Sequence, residues 1–253
     1  MDRMDWLVPA WPAPQGVRAV CTMRAGGVSS SPYASLNLGD HVGDDPQCVA
    51  SNRAILAREI GARPVYLKQI HGSSNVVALD RETADGTEAD GCWTSSRGVA
   101  CTIMVADCLP VLLAADDGSR VGAAHAGWRG LSGGIVESTV RAMTHDMDGN
   151  ASSLIAWLGP AIGPRAFEVG DDVKAAFIAH DPAAAEHFKP LREGKWHADL
   201  IELTRMRLNA VGIARIFGND GSREWCTVAN PSRFFSHRRD RVSGRLAAAV
   251  WLS

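Results

Sequence analysis

The chain has 253 residues, of which 46% are hydrophobic and 21% charged, so it is long and apolar enough to bury a sizeable core. Its formal net charge is −2 and its calculated isoelectric point is about 6.4. This balance lacks the basic surface that binds nucleic acids or anionic membranes. We therefore expect no nucleic-acid partner and no membrane partner.

The ends and the cysteines of the chain indicate its cellular context. The opening stretch MDRMDWLVPAWPAPQG has acidic residues and prolines but no continuous apolar run, so it predicts neither a secretory signal nor an anchor. The 6 cysteines form no CxxC pair, which favours reduced thiols and a cytoplasmic protein. Without internal repeats or a long linker, residues 1–253 are expected to form one domain, and the protein to be a monomer.

Predicted strands and helices alternate along the chain, which indicates a mixed α/β class with β-sheets flanked by helices. A loop rich in glycine and serine, over residues 25–40, is of a length that is usually functional. The two strands around Gly72 and Ser73 are expected to pair, as a hairpin or otherwise. The predicted strands cover 16–24, 64–71, 74–80, 99–106, 111–115, 120–125 and 153–159, and the predicted helices 46–60, 128–147, 171–180 and 199–212.

A thiol interrupts one of the most apolar stretches of the chain. The run VACTIMVA (99–106) stops at Asp107 and Cys108, and Pro110 follows before apolar residues resume. Proline cannot donate to a strand ladder, so a break between strands is expected here. A cysteine in an apolar run is most often a small buried hydrophobe, but at a break its side chain can leave the core.

Three potential metal ligands occupy the ends of predicted strands. His71 closes one strand, Cys108 follows another, and His125 closes a third, with glycine or proline within two residues of each. Rigid scaffolds present functional side chains at such positions. Two imidazoles and a thiolate suit a catalytic zinc with an open fourth position, and copper is an alternative. Taken singly, each histidine has a structural role as its commoner explanation.

The segment AGWRG (126–130) leads directly from a strand into a helix. Backbone N–H groups at a helix start and the Arg129 guanidinium can bind an anion such as phosphate. The alternative is that the glycines only permit a tight turn, with Trp128 packed on the core. Asp107 also has two interpretations, since it can orient a ligating histidine or move a proton, or simply cap a turn.

Taken together, several motifs resemble one family over about Met23 to Trp251. They are LKQIHG, ADG, ADCLPVLL, HAGWRG, LGPAIGP with FEVG, and FSHRRD with GR. These look like the signatures of the laccase-domain family, also described as polyphenol oxidase-type proteins and as purine nucleoside phosphorylases. The chain has Val105 where the family commonly has threonine.

The resemblance implies a fold and a set of site residues. The fold would be a single α/β domain with mixed sheets flanked by helices. His71, Cys108 and His125 would be the metal-binding and catalytic residues. Further implied contacts to the substrate are Arg24, Asn37 and the segment HVGDDP (41–46). Arg238, in the stretch SHRRDRVSGR (236–245), is predicted to bind substrate as well.

The resemblance also implies phosphorolysis of adenosine, inosine and methylthioadenosine, deamination of adenosine, and oxidation of phenols. Multicopper oxidation needs several sets of paired imidazoles, whereas this chain has 8 histidines and no HxH pair. An open zinc site suits deamination because it can activate water for attack on C6 of adenine. Phosphorolysis requires purine nucleoside and phosphate as the small-molecule partners.

Two alternatives remain open at the level of the sequence. Some bacterial relatives are described as peptidoglycan-editing enzymes that hydrolyse an amide in a cell-wall precursor, a reaction that zinc also suits. A purely structural zinc site would need four ligands, and no fourth ligand is evident.

Overall fold

A computed structural model describes residues 5–145 and 150–253. The end of the predicted helix 128–147 therefore lies outside the described residues. The strands are β1 (Val17–Cys21), β2 (Arg63–Tyr66), β3 (Val76–Ala78), β4 (Gly91–Thr94), β5 (Val99–Val105), β6 (Leu109–Ala115), β7 (Val121–Ala126), β8 (Leu154–Leu158), β9 (Glu168–Gly170), β10 (Phe188–Arg192), β11 (Lys195–Ala198), β12 (Ile216–Gly218) and β13 (Leu246–Leu252). The α-helices are α1 (Pro46–Ile60), α2 (Trp128–Gly133), α3 (Ile135–Thr144), α4 (Asp171–Ile178), α5 (Leu200–Ala210) and α6 (His237–Asp240). The predicted mixed α/β class is confirmed.

Within the described residues the strands form three sheets. Sheet 1 has the order β1-β13-β5-β2, and sheet 2 has the order β12-β8-β6-β7-β4-β3. Both are mixed, because β2 runs parallel to β5 while β13 runs antiparallel to β5, and β3 runs parallel to β4 while β4 runs antiparallel to β7. A small antiparallel sheet of order β10-β11-β9 lies beside α4.

Sheets 1 and 2 face each other and are covered by helices on their outer faces. Ile103 of β5 and Leu112 of β6 share the core between the sheets. Leu56 of α1 packs on the outer face of sheet 1. Leu113 of β6 packs with Val140 of α3 on the outer face of sheet 2. The result is a helix–sheet–sheet–helix arrangement of layers.

This layering explains why the central strands are apolar throughout. In β5 the odd-numbered residues Val99 to Val105 face the core between the sheets, while Ala100 and Met104 face α1. In β6 the two faces likewise contribute to two different cores. A strand covered on both faces has no reason to alternate apolar with polar residues.

Helix α1 begins and ends at the predicted residues. The Asp45 side chain accepts a hydrogen bond from the Gln47 backbone N–H, and Pro46 occupies the first turn, where its missing N–H is not needed. Gly61 adopts a left-handed conformation with φ 62° and its N–H caps the carbonyl of Ala57. Local capping chemistry therefore suffices to set both ends of this helix.

Two predicted elements differ in the structure. The strands around Gly72 do not pair with each other, because β2 pairs with β5 in sheet 1 and β3 pairs with β4 in sheet 2. The predicted helix 128–147 is divided at Gly134, whose φ of 103° ends α2 before α3 begins. Among the described residues, no helix combines the length and the apolar character needed to cross a membrane.

The long predicted loop is fastened to α1 by one buried amide. Asn52 donates through Nδ2 to Ser29 Oγ at 2.9 Å and to the carbonyls of Ser35 and Asn37 at 3.2 and 2.8 Å. Its Oδ1 accepts the backbone N–H of Val28 at 2.9 Å. A single side chain on the helix thus satisfies backbone and hydroxyl groups along the loop.

We predict that Asn52→Ala lowers the free energy of unfolding by about 1–3 kcal/mol, because buried loop groups lose their partners. Urea denaturation at constant m-value measures the change. Ser51→Ala, which removes an exposed hydroxyl from the preceding position of α1, is the control and is expected to be nearly neutral. Equal stability of the two variants would contradict the role assigned to Asn52.

Candidate metal centre and adjoining cavity

The three predicted ligands converge. His71 lies in the segment after β2, Cys108 in the turn between β5 and β6, and His125 near the end of β7. One ligand atom from each side chain lies within 4.8 Å of the others. The two imidazole rings meet edge to face, with centroids 4.8 Å apart. The structure therefore brings together residues that lie as far apart in the sequence as positions 71 and 125.

Cys108 leaves the core where the chain crosses from sheet 1 to sheet 2. Asp107 has a φ of 94°, an uncommon conformation that separates the end of β5 from the start of β6. Pro110 then pairs with His125 in the register of β6 and β7, which carries Cys108 to the same edge as His125. His125 is buried, Cys108 is half-buried and His71 is exposed, so one side of the cluster faces solvent.

Asp90 contacts the backbone at His71 and the imidazole of His125. Its carboxylate accepts the backbone N–H groups of Ile70, His71 and Gly72 at 3.1, 3.0 and 2.7 Å. Its Oδ1 also lies 2.8 Å from Nδ1 of His125. An ionised carboxylate only accepts, so Nδ1 carries the proton and Nε2 is left for a metal. The same contacts hold His71 in its left-handed conformation, with φ 60°.

Asp90 is fully buried, yet it stays ionised. Burial opposes its charge, but the His125 side chain and the Gly72 and Ile70 N–H groups outweigh burial and keep the pKa of Asp90 below its usual value. The absence of these donors would leave an uncompensated buried charge, which is costly. The carboxylate and the turn around His71 therefore stabilise each other.

Cys108 and His125 shift each other's pKa in opposite directions. Burial raises the pKa of the Cys108 thiol, but the His125 and His71 imidazoles outweigh that effect and lower it to about 6. Burial likewise lowers the pKa of His125, but the Cys108 thiolate and Asp90 raise it to about 9. A metal ion would take the place of a proton in this pair, as thiolate and neutral imidazole are the ligand forms.

The donor set fits a tetrahedral metal ion. Bonds of ~2.0–2.3 Å place donor atoms about 3.3–3.8 Å apart, so the observed spread closes with side-chain shifts of about 1 Å. Two imidazoles and a thiolate suit zinc and also copper. Within residues 5–145 and 150–253, this is the one group of three or more His, Cys, Asp and Glu side chains whose ligand atoms converge in this way.

Gly127 leaves room for the cluster. A Cβ atom at this position would lie 3.0 Å from Cys108 Sγ and 3.3 Å from Cδ2 of His71. Gly127 is also the N-cap of α2, with extended backbone angles that other residues can adopt. A methyl group at this position would crowd the thiol, whereas the backbone conformation does not call for glycine.

A cavity of about 180 Å³ adjoins the cluster at Cys108. Trp128 and Phe167 give it aromatic walls, and Arg238 closes one side. The Arg238 Nη1 donates to the carbonyl of Glu168 at 3.0 Å, so its guanidinium is held in place. Arg238 thus lies next to the cluster, as expected of a substrate contact, and its role stays a prediction.

Asp107 contacts neither histidine. Its Oδ1 accepts from Thr227 Oγ1 at 2.6 Å, and its Oδ2 accepts from the backbone N–H of Arg238 at 2.6 Å. The prediction that Asp107 orients a ligating histidine is therefore wrong, because Asp90 occupies that position. Asp107 instead joins the turn of Cys108 to the cavity wall, and a role in proton transfer stays a prediction.

Two predicted substrate contacts are engaged elsewhere in the protein. Arg24 donates through Nε to Ala34 at 3.1 Å and through Nη1 to Pro231 at 2.7 Å, joining two loops. Asn37 is fully buried, and its amide bonds Gly39, Asp44 and Arg245. In this conformation Asn37 has no surface to offer a substrate, so the expected direct contact is corrected to a role in loop structure.

The segment 41–46 shows the same use of polar groups. Asp44 accepts hydrogen bonds from Ser29 and Asn37, and Asp45 caps α1.

Arg129 differs from these residues, because it is exposed and its guanidinium stacks on the Trp128 ring, with its carbon Cζ 4.3 Å from the ring centroid. Its predicted role in phosphate binding stays a prediction.

Comparison with known proteins identifies the family. The family model described as multi-copper polyphenol oxidoreductase laccase matches residues 18–253. The chain belongs to this family. It is 47% identical to a protein of Pseudomonas aeruginosa named purine nucleoside phosphorylase, over 98% of each chain. It is 46% identical to the purine nucleoside phosphorylase YfiH of Escherichia coli, over 97% of this chain and 98% of that one. The crystal structure of Neisseria meningitidis protein NMB0706 superposes with a TM-score of 0.92 at 44% identity, covering 98% of this chain and 99% of that one.

We predict that Gly127→Ala weakens metal binding at least about tenfold, because the added methyl group occupies the space beside Cys108 Sγ. Competition with a chromogenic chelator measures the affinity. Gly72→Ala is the matched control, since its Cβ would have nearest neighbours at ordinary van der Waals distances of 3.4–3.6 Å. If both variants bind metal as the wild type does, Gly127 is not needed for the geometry of the cluster.

A second prediction concerns Asp90. Asp90→Asn is expected to weaken metal affinity about 10–100-fold and to lower stability, because an amide cannot accept all the donors that the carboxylate accepts. Asp107→Asn is the comparison, as it also alters a hydrogen-bonded buried carboxylate but one without contact to either histidine. Equal losses of affinity in the two variants would show that Asp90 has no special role in positioning.

Proposed function

We propose that the protein is a metal-dependent purine nucleoside phosphorylase that converts adenosine, inosine and methylthioadenosine to the free base and the corresponding (thio)ribose 1-phosphate. The observation that carries the proposal is the convergence of His71, Cys108 and His125 beside a cavity with aromatic walls. The names of the P. aeruginosa and E. coli relatives, at 47% and 46% identity over nearly the full chain, support the same reaction class.

The cavity suits the base of a nucleoside. Trp128 and Phe167 offer apolar and aromatic surface on which a purine can pack, and Arg238 offers donors at its edge. With about 180 Å³, the cavity is smaller than the ~300–1,000 Å³ of pockets for drug-sized ligands, so it accommodates a base rather than the whole nucleoside. The ribose would then lie toward the exposed His71 side of the cluster.

The protein's own groups position the reacting parts. His71, Cys108 and His125 would hold a zinc ion, with Asp90 fixing the His125 tautomer and the backbone at His71. When bound, the metal supplies a Lewis acid that polarises an oxygen or nitrogen of the substrate or a water molecule. His125 closes one side of the cluster because it is buried, and the exposed His71 leaves the other side open to phosphate.

Adenosine deaminase activity is proposed as a second reaction of the same site. The observation that favours it is the exposed position of His71, which leaves the three-ligand cluster accessible from solvent on one side. Deamination adds water at C6 of adenine and releases ammonia, with no requirement for phosphate. Copper in place of zinc would support weak oxidation of phenols, but multicopper oxidation would need further ligand sets.

The test is a panel of nucleosides incubated with zinc-loaded protein, with and without inorganic phosphate, and followed by chromatography. We expect free base and ribose 1-phosphate only when phosphate is present, and conversion of adenosine to inosine in either condition. Cys108→Ser is expected to lower both rates at least about tenfold, since an alcohol is a poor substitute for a thiolate ligand.

Release of base without phosphate, or no reaction with any nucleoside, would overturn the phosphorylase proposal. A muropeptide precursor and a phenol are included in the panel as the competing substrate classes. Zinc content and thermal stability are measured on every sample, so that a loss of activity is not confused with loss of the fold.

A further inference from the structure

Arg245 lies at the junction of the long loop and sheet 1, one residue before β13. Its backbone N–H donates to Oδ1 of Asn37 at 2.8 Å, and its carbonyl accepts the N–H of Leu38 at 3.1 Å. A Cβ atom on Gly39 would lie 2.7 Å from Cγ of Arg245. The loop residues therefore fix the backbone of Arg245 and leave a channel for its side chain.

The guanidinium of Arg245 is only partly used by the protein. Nη1 donates to the carbonyls of Ser243 and Gly244 at 3.0 and 3.2 Å, with Ser243 Oγ at 3.4 Å. In the part of the chain that the structure describes, Nε and Nη2 have no hydrogen-bond partner, and no carboxylate lies within ion-pair distance. Nε and Nη2 are not fully enclosed by the protein, so a small anion can reach both atoms.

The charge of the guanidinium interacts with groups of the metal-ligand cluster. Burial lowers the pKa of Arg245, and the charges of Cys108, Asp107 and Tyr33 oppose that shift, which places these groups close to it. The imidazole of His41 also lies within range of the Arg245 charge. A half-buried cation with two unused donors and no carboxylate partner is unfavourable by itself, and an anion bound at the same place would compensate it.

We propose that Arg245 binds the inorganic phosphate that attacks the nucleoside, through the fork formed by its Nε and Nη2. This inference rests on the proposed phosphorolysis and adds the position of the second substrate. The site is distinct from the one predicted at Arg129, whose guanidinium is exposed and stacked on Trp128. The Arg245 guanidinium is instead held at Nη1 by the carbonyls of Ser243 and Gly244, so its fork has a fixed direction, which a bidentate contact requires.

With hydrogen phosphate held at this fork as the nucleophile, the atoms and charges of the reaction balance. One oxygen of hydrogen phosphate forms the bond to C1′ of the ribose as the bond from C1′ to N9 breaks, and the electron pair of that bond goes to the base. The proton of hydrogen phosphate is transferred to the base, so ribose 1-phosphate and neutral purine result. Arg245 stabilises the phosphate charge throughout and does not itself transfer a proton, as its pKa is too high.

The experiment compares Arg245→Met and Arg245→Lys with wild type. Methionine keeps an apolar stem beside Gly39 and removes the charge, while lysine keeps the charge and removes the fork. We expect the KM for phosphate in inosine phosphorolysis to rise at least about tenfold for methionine and less for lysine, with the KM for inosine nearly unchanged. Titration calorimetry with inorganic phosphate, without nucleoside, should show the same order of affinities.

Two further variants sharpen the comparison. Arg18→Ala removes an exposed arginine from β1 and is the control for loss of one positive charge. Arg129→Ala tests the competing location: a large rise in phosphate KM for Arg129→Ala, with none for Arg245→Met, overturns the inference. Circular dichroism and metal content confirm that each variant is folded and loaded.

The outcomes separate the inference from the proposed function. If wild type carries out phosphorolysis but Arg245→Met keeps the wild-type phosphate KM and affinity, the Arg245 site is wrong while the function stands. If wild type shows no phosphorolysis, the function fails, and the calorimetric comparison still decides whether Arg245 binds phosphate. If inosine 5′-monophosphate binds more tightly than inosine only when Arg245 is present, and inorganic phosphate does not bind, the residue recognises a nucleotide ester and the inference is overturned.

Discussion

One buried carboxylate determines the geometry of the site. Asp90 accepts three consecutive backbone N–H groups around His71 and the Nδ1 proton of His125, so it fixes a backbone turn and an imidazole tautomer at once. Both sets of contacts depend on the negative charge of the carboxylate, which a neutral residue could not provide. That charge is tolerated in the interior only because these donors surround it. A metal site built on two histidines from different segments of the chain would otherwise need two separate supports.

The two facing sheets explain why the site lies where it does. Cys108 occupies the crossing between them, because β5 belongs to sheet 1 and β6 to sheet 2. The strands end at this edge, so their side chains can leave the core. The backbone of neighbouring segments limits how closely these side chains can approach one another. Gly127 permits the close approach because it has no side chain next to the Cys108 thiol. The apolar layers give rigidity, and the polar groups at the edge give the chemistry.

Sequence patterns predict the local features well and the long-range ones poorly. The ends of α1 and the break at Cys108 follow from capping residues and from proline, which act within a few positions. The supposed pairing of the strands around Gly72 was wrong because each strand is apolar enough to join either sheet, and only tertiary packing decides between them. Asp90 was missed as a positioning residue, although the ADG motif containing it was recognised, because no pattern shows that a carboxylate will face three N–H groups and a histidine. Strand β13 is absent from the predicted elements because its sequence is continuously apolar, and such a sequence does not distinguish a strand from a buried helix.

The long loop over residues 25–40 positions side chains around the proposed phosphate site. Asn52 holds the loop from α1, Asn37 within the loop holds the backbone of Arg245, and Gly39 clears the path of the Arg245 side chain. This is a continuous series of hydrogen bonds from the surface helix to the proposed phosphate site. Because Asn52 and Asn37 are fully buried, we expect a loosening at Asn52 to reach the backbone of Arg245 through Asn37. Stability of the loop and affinity for phosphate should therefore be coupled, although Asn52 and Asn37 contact no substrate.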